Sequence, residues 1–295
     1  MYHGIATKPL TLYNWCQVSV EEFDRQLDFL SRNYLVMPLS EVVLRLRNGL
    51  QIPSRALCLT FDDGFRSVLT TALPILEKYD LPATVFVVTG LMDSGEPPWP
   101  EQLYLAISNT SVPTLEIDGL HLDMRTTEER AKAYEWLLLR AKALPARGKN
   151  LFVDHLLFRL GSVDAGPEAS STFATLTWDE VEILRRSGLV EIGLHTHTHQ
   201  ILSRCSPAEQ RSELEISTHL ARKHWGGVDL FAYPNGQPGD YSSSTKHLLR
   251  EMGFRCALTT IHGLNDRRSD LYELRRVGIG RGAPLWSVKK RLSVY

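Results

Sequence analysis

Thr60-Phe61-Asp62-Asp63-Gly64 closes the apolar run Arg55-Ala56-Leu57-Cys58-Leu59. A strand ending on two adjacent carboxylates and a glycine is a poor core element, because each partly dehydrated carboxylate needs a partner, a metal or a shifted pKa. Neighbouring side chains on an extended segment face different ways, so the two aspartates suit different jobs: one binds a metal while the other takes a proton. Histidines able to share that metal occur at His195-Thr196-His197-Thr198-His199, also at the end of an apolar run. His195 and His199 share a face in a helix and in a strand alike, whereas His197 joins them only if the segment stays extended. Two imidazoles and one carboxylate leave positions open for water and substrate, a set that suits zinc and also non-haem iron(II).

Around these motifs, short runs rich in β-branched residues alternate with amphipathic stretches. Strands are expected at 34–38, 56–61, 83–88, 189–195, 230–233, 256–260 and 277–279, and helices at 20–31, 39–47, 67–79, 178–187, 207–224 and 242–252. Ser206-Pro207-Ala208-Glu209 reads as a helix start, with a capping serine, a first-turn proline and a carboxylate that favours the positive end of the helix. This alternation predicts an α/β fold, a distorted or incomplete (β/α) barrel of about seven parallel strands with a helical insertion. An open doubly wound sheet is the alternative, without the glycine-rich dinucleotide fingerprint. In either fold chemistry collects at the carboxyl ends of strands, so both motifs fall on one face.

The stretch at about 95–173 breaks the alternation. It opens with Pro97-Pro98-Trp99-Pro100, forms a hairpin over 114–122 around Asp118-Gly119, continues with helices at 127–143 and 148–160, and ends in a loop at 161–171. A single domain over 1–295 is expected, with this stretch inserted between two barrel strands as a wall, a lid or a packing decoration.

Composition excludes several classes. With 43% hydrophobic and 23% charged residues and a net charge of −1, the chain favours no polyanion or membrane surface, and no nucleic-acid partner is expected. No run approaches the roughly 20 apolar residues that span a bilayer. Cys16, Cys58, Cys205 and Cys256 are scattered without paired spacing, and the N-terminal residues lack a secretory layout, so a reducing, cytoplasmic location is expected.

Thr60-Phe61-Asp62-Asp63-Gly64 and His195-Thr196-His197-Thr198-His199 resemble the first two motifs of the polysaccharide deacetylase family, the NodB-homology enzymes of carbohydrate esterase family four. Phe231-Ala232-Tyr233-Pro234-Asn235-Gly236 is similar to the third motif, and Gly253-Phe254, Ala257-Leu258-Thr259-Thr260 and Leu274-Arg275-Arg276-Val277 follow the family's layout. The resemblance implies a hydrolase that removes N-acetyl groups from N-acetylated sugars of a polysaccharide or glycan precursor. It implies a divalent metal on Asp63, His195 and His199, zinc first with cobalt or nickel as alternatives, and Asp62 as catalytic base. Tyr233, Pro234 and Asn235 would bind substrate, with a backbone N–H near Asn235 steadying the oxyanion. A small-molecule amidase or deformylase and a non-catalytic glycan-binding homologue are the alternatives.

The sequence departs from the family pattern in three places. Ala232 stands where many members carry an arginine that orients the base; Arg276, or else Arg66, is the candidate replacement. Asn235 stands where an aromatic is common. The C-terminal histidine that serves as general acid has no counterpart near Val277-Gly278-Ile279-Gly280, which leaves His262 as the candidate, followed by His197 and by His3 of a Tyr2-His3 pair. Trp99, Trp178 and Tyr233 are candidates for a sugar-stacking wall.

Overall fold

The computed structural model describes residues 1–161 and 172–293, so the expected loop at 161–171 lies almost wholly outside the described residues. Six strands form one parallel sheet: β1 (Leu59–Phe61), β2 (Ala83–Val87), β3 (Val190–Leu194), β4 (Leu230–Ala232), β5 (Cys256–His262) and β6 (Leu274–Arg276), in the order β6-β5-β4-β3-β2-β1. Helices Leu73–Tyr79, Trp178–Arg186, Pro207–Trp225 and Ser243–Glu251 alternate with them, as right-twisted parallel sheets require. The helix at Pro207–Trp225 starts on the expected capping box, Ser206 Oγ accepting from Glu209 N–H and the Glu209 carboxylate accepting from Ser206 N–H.

The sheet curls until residues 1–2 bridge its two edges. Residues 1–2 bond to both: Tyr2 N–H donates to Thr60 O (2.8 Å) and Asp62 N–H to Tyr2 O (3.1 Å), while Ile279 N–H donates to Met1 O (2.9 Å) and Met1 N to Val277 O (2.9 Å). The fold is thus the expected distorted barrel, with two corrections to its strands. The segment at 34–38 contributes only Leu35–Val36, which pairs with Ala56–Leu57 apart from the main sheet. The last strand lies at Leu274–Arg276 instead of 277–279, because Leu274 pairs with Leu258 and fills the interior. That register puts Arg276 inside the barrel.

Even-numbered residues of β1, β2, β4, β5 and β6 face inward. Phe86, Leu230, Ala232, Cys256, Leu258 and Leu274 cluster there, and a Cβ on Gly193 would fall 2.3 Å from the Phe86 ring, so β3 carries a glycine where the aromatic needs its space. A cavity of about 1080 Å³ occupies the β1–β6 seam, lined by apolar residues such as Leu59, Leu258 and Leu274 and by polar ones such as Arg55, Asn265 and Arg276. The stretch between β2 and β3 holds helix Trp99–Asn109, the hairpin Thr114–Ile117/Leu120–Asp123 with Asp118 (φ 50°) and Gly119 (φ 75°) at its turn, and helices Thr127–Ala143 and Ala146–Leu160. It has its own apolar cluster around Leu103, Tyr104, Leu137 and Leu156, joined to the barrel through Phe65 and Leu12. No described helix is long and apolar enough to cross a membrane.

Candidate active site and metal centre

β1 delivers Asp62 and Asp63 to the carboxyl end of the barrel in opposite senses. Asp62 keeps the inward parity of Thr60 and is 2% exposed. Arg276, inward on β6, meets it in a two-pronged pair: Nη1 donates to Oδ1 (2.7 Å) and Nη2 to Oδ2 (2.6 Å). The guanidinium is itself fixed, since Nε donates to Thr259 O at 2.7 Å. Burial opposes charge on Asp62, but the adjacent Arg276 outweighs it and holds the carboxyl below the ordinary carboxylate range. Arg66, the other candidate cation, pairs instead with Glu180 at 2.7 Å near the surface.

Asp63 leaves the strand in the left-handed region (φ 70°), a conformation that aspartate tolerates and Gly64 continues (φ 67°). Its carboxylate therefore swings towards the histidine loop. Oδ1 lies 3.4 Å from His195 Nε2 and 3.2 Å from His199 Nε2. The loop is not extended: Thr196 (φ 65°) and His199 (φ 57°) are left-handed, so His197 turns away, its Nδ1 3.1 Å from Thr89 Oγ1. Glu213, on helix Pro207–Trp225, holds this shape by accepting from His197 N–H (2.9 Å), Thr198 N–H (2.8 Å) and the Thr198 hydroxyl (2.6 Å). Sequence reasoning missed Glu213, because nothing in a helical carboxylate marks its partner.

These three residues suit a cation. His195 Nδ1 lies 2.8 Å from Ala232 O, and a carbonyl can only accept, so the proton sits on Nδ1 and Nε2 presents a lone pair to Asp63. Two acceptors facing each other in a buried site need a proton or a metal between them. His199 Nδ1 is buried without a partner among the described residues, so none of them chooses its tautomer. Burial opposes charge on both partners of the His195–Asp63 contact. Even so, Asp63 and Asp62 raise the His195 pKa, while His195 and His199 hold Asp63 well below its ordinary value. Asp63, His195 and His199 are also the one group of potential metal ligands found among the described residues.

The remaining expected residues divide. Tyr233 does not face a ligand: it is 1% exposed, stacks on Tyr241 at 4.2 Å and donates its hydroxyl to Tyr272 O (3.0 Å), so its aromatic bulk belongs to the core. Pro234 is buried beside it. Asn235 is left-handed (φ 61°); its side chain donates to Asp240 (2.5 Å) and accepts from Lys142 Nζ (2.7 Å), while its own N–H has no partner among the described residues. His262 is exposed at the end of β5 and, among the described residues, makes no hydrogen bond to this group. His3 is buried instead, its Nδ1 unpartnered among the described residues; burial lowers its pKa against the pull of Asp63 and Asp62. Trp178 stacks on His224 at 4.0 Å and packs against Trp225, away from the site.

Residues of the insertion reach the histidine loop and Asn235. Trp99 Nε1 donates to His199 O at 3.3 Å, Lys142 reaches Asn235, and the Glu101 carboxyl is buried where the charge of Asp63 is felt. Burial, then Asp63, pushes the Glu101 pKa up to about 8.

The family model described as polysaccharide deacetylase matches residues 51–257. The chain belongs to the polysaccharide deacetylase family. Within it, the chain is 35% identical over 91 residues to a poly-β-1,6-N-acetyl-D-glucosamine N-deacetylase of Staphylococcus aureus (30% of each chain). It is 27% identical over 132 residues to YxkH of Bacillus subtilis (44% of this chain, 46% of that one). The chain thus spans less than half the length of these curated relatives. Two solved deacetylase-family folds cover it almost completely. The Streptococcus pyogenes deacetylase PplD, in complex with acetate, has a TM-score of 0.65 at 21% identity over 99% of this chain and 96% of that one. IcaB from Ammonifex degensii has a TM-score of 0.62 at 19% identity over 99% and 98%.

Proposed function

We propose that the chain is a metal-dependent de-N-acetylase of N-acetylated glycans, with β-1,6-linked N-acetylglucosamine polymers the first substrate to test. The observation that carries this reading is the juxtaposition of a convergent Asp63–His195–His199 group with an ionised Asp62 held by Arg276. Those three residues would hold the metal, zinc first and cobalt or nickel next. When bound, such an ion polarises the amide carbonyl and makes water nucleophilic near neutral pH.

The chain's own residues supply the rest. Asp62, ionised and fixed by two hydrogen bonds, accepts the proton of the attacking water. Asn235 N–H, without a partner among the described residues, suits the carbonyl oxygen as it gains charge. The departing nitrogen needs a proton, and His3 fits that task better than His262: it is buried where the charges of both aspartates are felt, whereas His262 is exposed. Arg276 positions Asp62 and keeps it ionised, filling the place that Ala232 leaves vacant. The insertion wall and the S. aureus relative's named substrate support a glycan over a small free amide.

Acetate and free amine are to be measured together after incubation of the zinc-loaded protein with β-1,6-linked N-acetylglucosamine oligomers and with small acetamides. The reading expects equal amounts of both products and turnover that rises with oligomer length. Turnover confined to small amides would transfer the same chemistry to a pocket enzyme.

A further inference from the structure

The segment between Gly4–Ala6 and Gln17–Ser19 carries two large aromatics that neither the core nor the catalytic scheme uses. Burial alternates along it: Leu12 and Asn14 are buried, whereas Tyr13 is 64% and Trp15 44% exposed, so both rings face outward. The segment is firmly held. Tyr104 Oη accepts from Leu12 N–H (3.0 Å) and donates to Leu12 O (2.9 Å). On the other side Arg281 N–H donates to Trp15 O (3.0 Å), Arg281 Nη1 to Leu12 O (3.3 Å), and the Tyr13 hydroxyl to Arg281 O (3.3 Å). The approach of the two segments depends on Gly280, where a Cβ would fall 2.6 Å from Trp15 O and 3.1 Å from its ring.

Trp15 lies on the side of the segment that meets the candidate active site, with Tyr13 two residues before it. Trp15 meets the His3 ring edge-on, with centroids 4.8 Å apart and planes at 79°. The charges of Asp63 and Asp62 are felt both at His3 and at Cys16, the residue after Trp15. A rigidly held, exposed aromatic face next to a reaction centre suits a ligand with one apolar face and a polar rim. A pyranose has that form, since its axial C–H groups stack on the ring while its hydroxyls reach the indole N–H, the phenol and water.

We propose that Tyr13 and Trp15 form an aromatic platform binding a pyranose ring of the glycan, adjacent to the sugar whose N-acetyl group enters the site. The platform rests on the deacetylase reading and deepens it by naming how a chain, as distinct from a single sugar, is held. It also explains why the segment is strapped on both sides: a stacking surface contributes most when little motion is lost on binding.

The test is calorimetric binding of a β-1,6-linked glucosamine pentamer, the product of complete deacetylation and therefore not consumed, to the zinc-loaded protein. Trp15→Ala and Tyr13→Ala are each expected to weaken binding about tenfold, and Trp15→Phe to recover most of the loss. Melting curves show whether each variant is folded; because Tyr13 is mostly exposed, its variant keeps the test open if Trp15→Ala unfolds. Wild-type affinity in both folded alanine variants, or no binding by the wild type, overturns the platform. Acetate release from the N-acetylated pentamer then separates the two claims: if it persists, the deacetylase reading stands without the platform, and if it is absent, both fall.

Discussion

Asp62 and Asp63 are consecutive in sequence and opposite in environment. One is inward, paired and ionised through Arg276; the other is turned by a left-handed φ onto two imidazoles. Asp62→Asn is expected to cut acetate release by about 10²–10⁴-fold while zinc stoichiometry stays the same, as elemental analysis would show. Arg276→Met leaves a buried carboxylate without its cation and should cost about 3–5 kcal/mol in denaturant unfolding. His3→Ala should lower kcat by about 10²-fold or more, whereas His262→Ala should not. Wild-type kcat in His3→Ala would return the acid to another group. The grouping of Asp63 with His195 and His199 was legible from residue type and spacing, and Arg276 as the cation beside Asp62 followed from the family resemblance. The choice between His3 and His262 as the proposed acid was not legible, because they differ in burial, and burial depends on where residues 1–2 bridge the sheet. Tyr233 misled for a related reason, since a motif aromatic reads the same whether it faces a sugar or Tyr241.

Elements set these residues in place, and their registers carry consequences. Moving the last strand to Leu274–Arg276 is what brings Arg276 inward; apolar character alone pointed three residues later, to Val277 and Ile279, which bond near residues 1–2 instead. The histidine loop keeps its two left-handed residues because helix Pro207–Trp225 lends Glu213 to its N–H groups. Glu213→Ala is expected to weaken zinc binding by about 10–100-fold in a chelator competition, with Asp63, His195 and His199 all intact. The insertion bears a pH signature through Glu101, whose folded pKa of about 8 stands above the unfolded carboxyl value near 4.3. A raised pKa means that the folded state holds a proton the unfolded state gives up. Its stabilising contribution is full below about pH 4 and is lost as pH rises through about 8. Melting temperatures of metal-free wild type and Glu101→Gln, compared from pH 5 to 9, should therefore diverge in favour of the variant at high pH; parallel curves would contradict the buried carboxyl.

At the scale of the molecule, a curled parallel sheet closed by residues 1–2 gathers β1, the β3 loop, β4 and β6 onto one rim, although Asp62 and Arg276 are 214 positions apart in sequence. The βα alternation made the barrel legible; its closure by two residues was not, because so short a bridge has no periodicity to read. The insertion's hairpin and its two later helices were readable too, but helix Trp99–Asn109 was not, and the contacts with His199 and Asn235 depend on tertiary packing. The central claim joins this rim to one chemistry, and metal removal tests it most directly. Acetate release from β-1,6-linked N-acetylglucosamine oligomers should vanish when the protein is stripped by a chelator and return with about one equivalent of zinc, in wild type but not in His199→Ala. Undiminished release from metal-free protein, or none from protein loaded with one zinc per chain, would contradict the account.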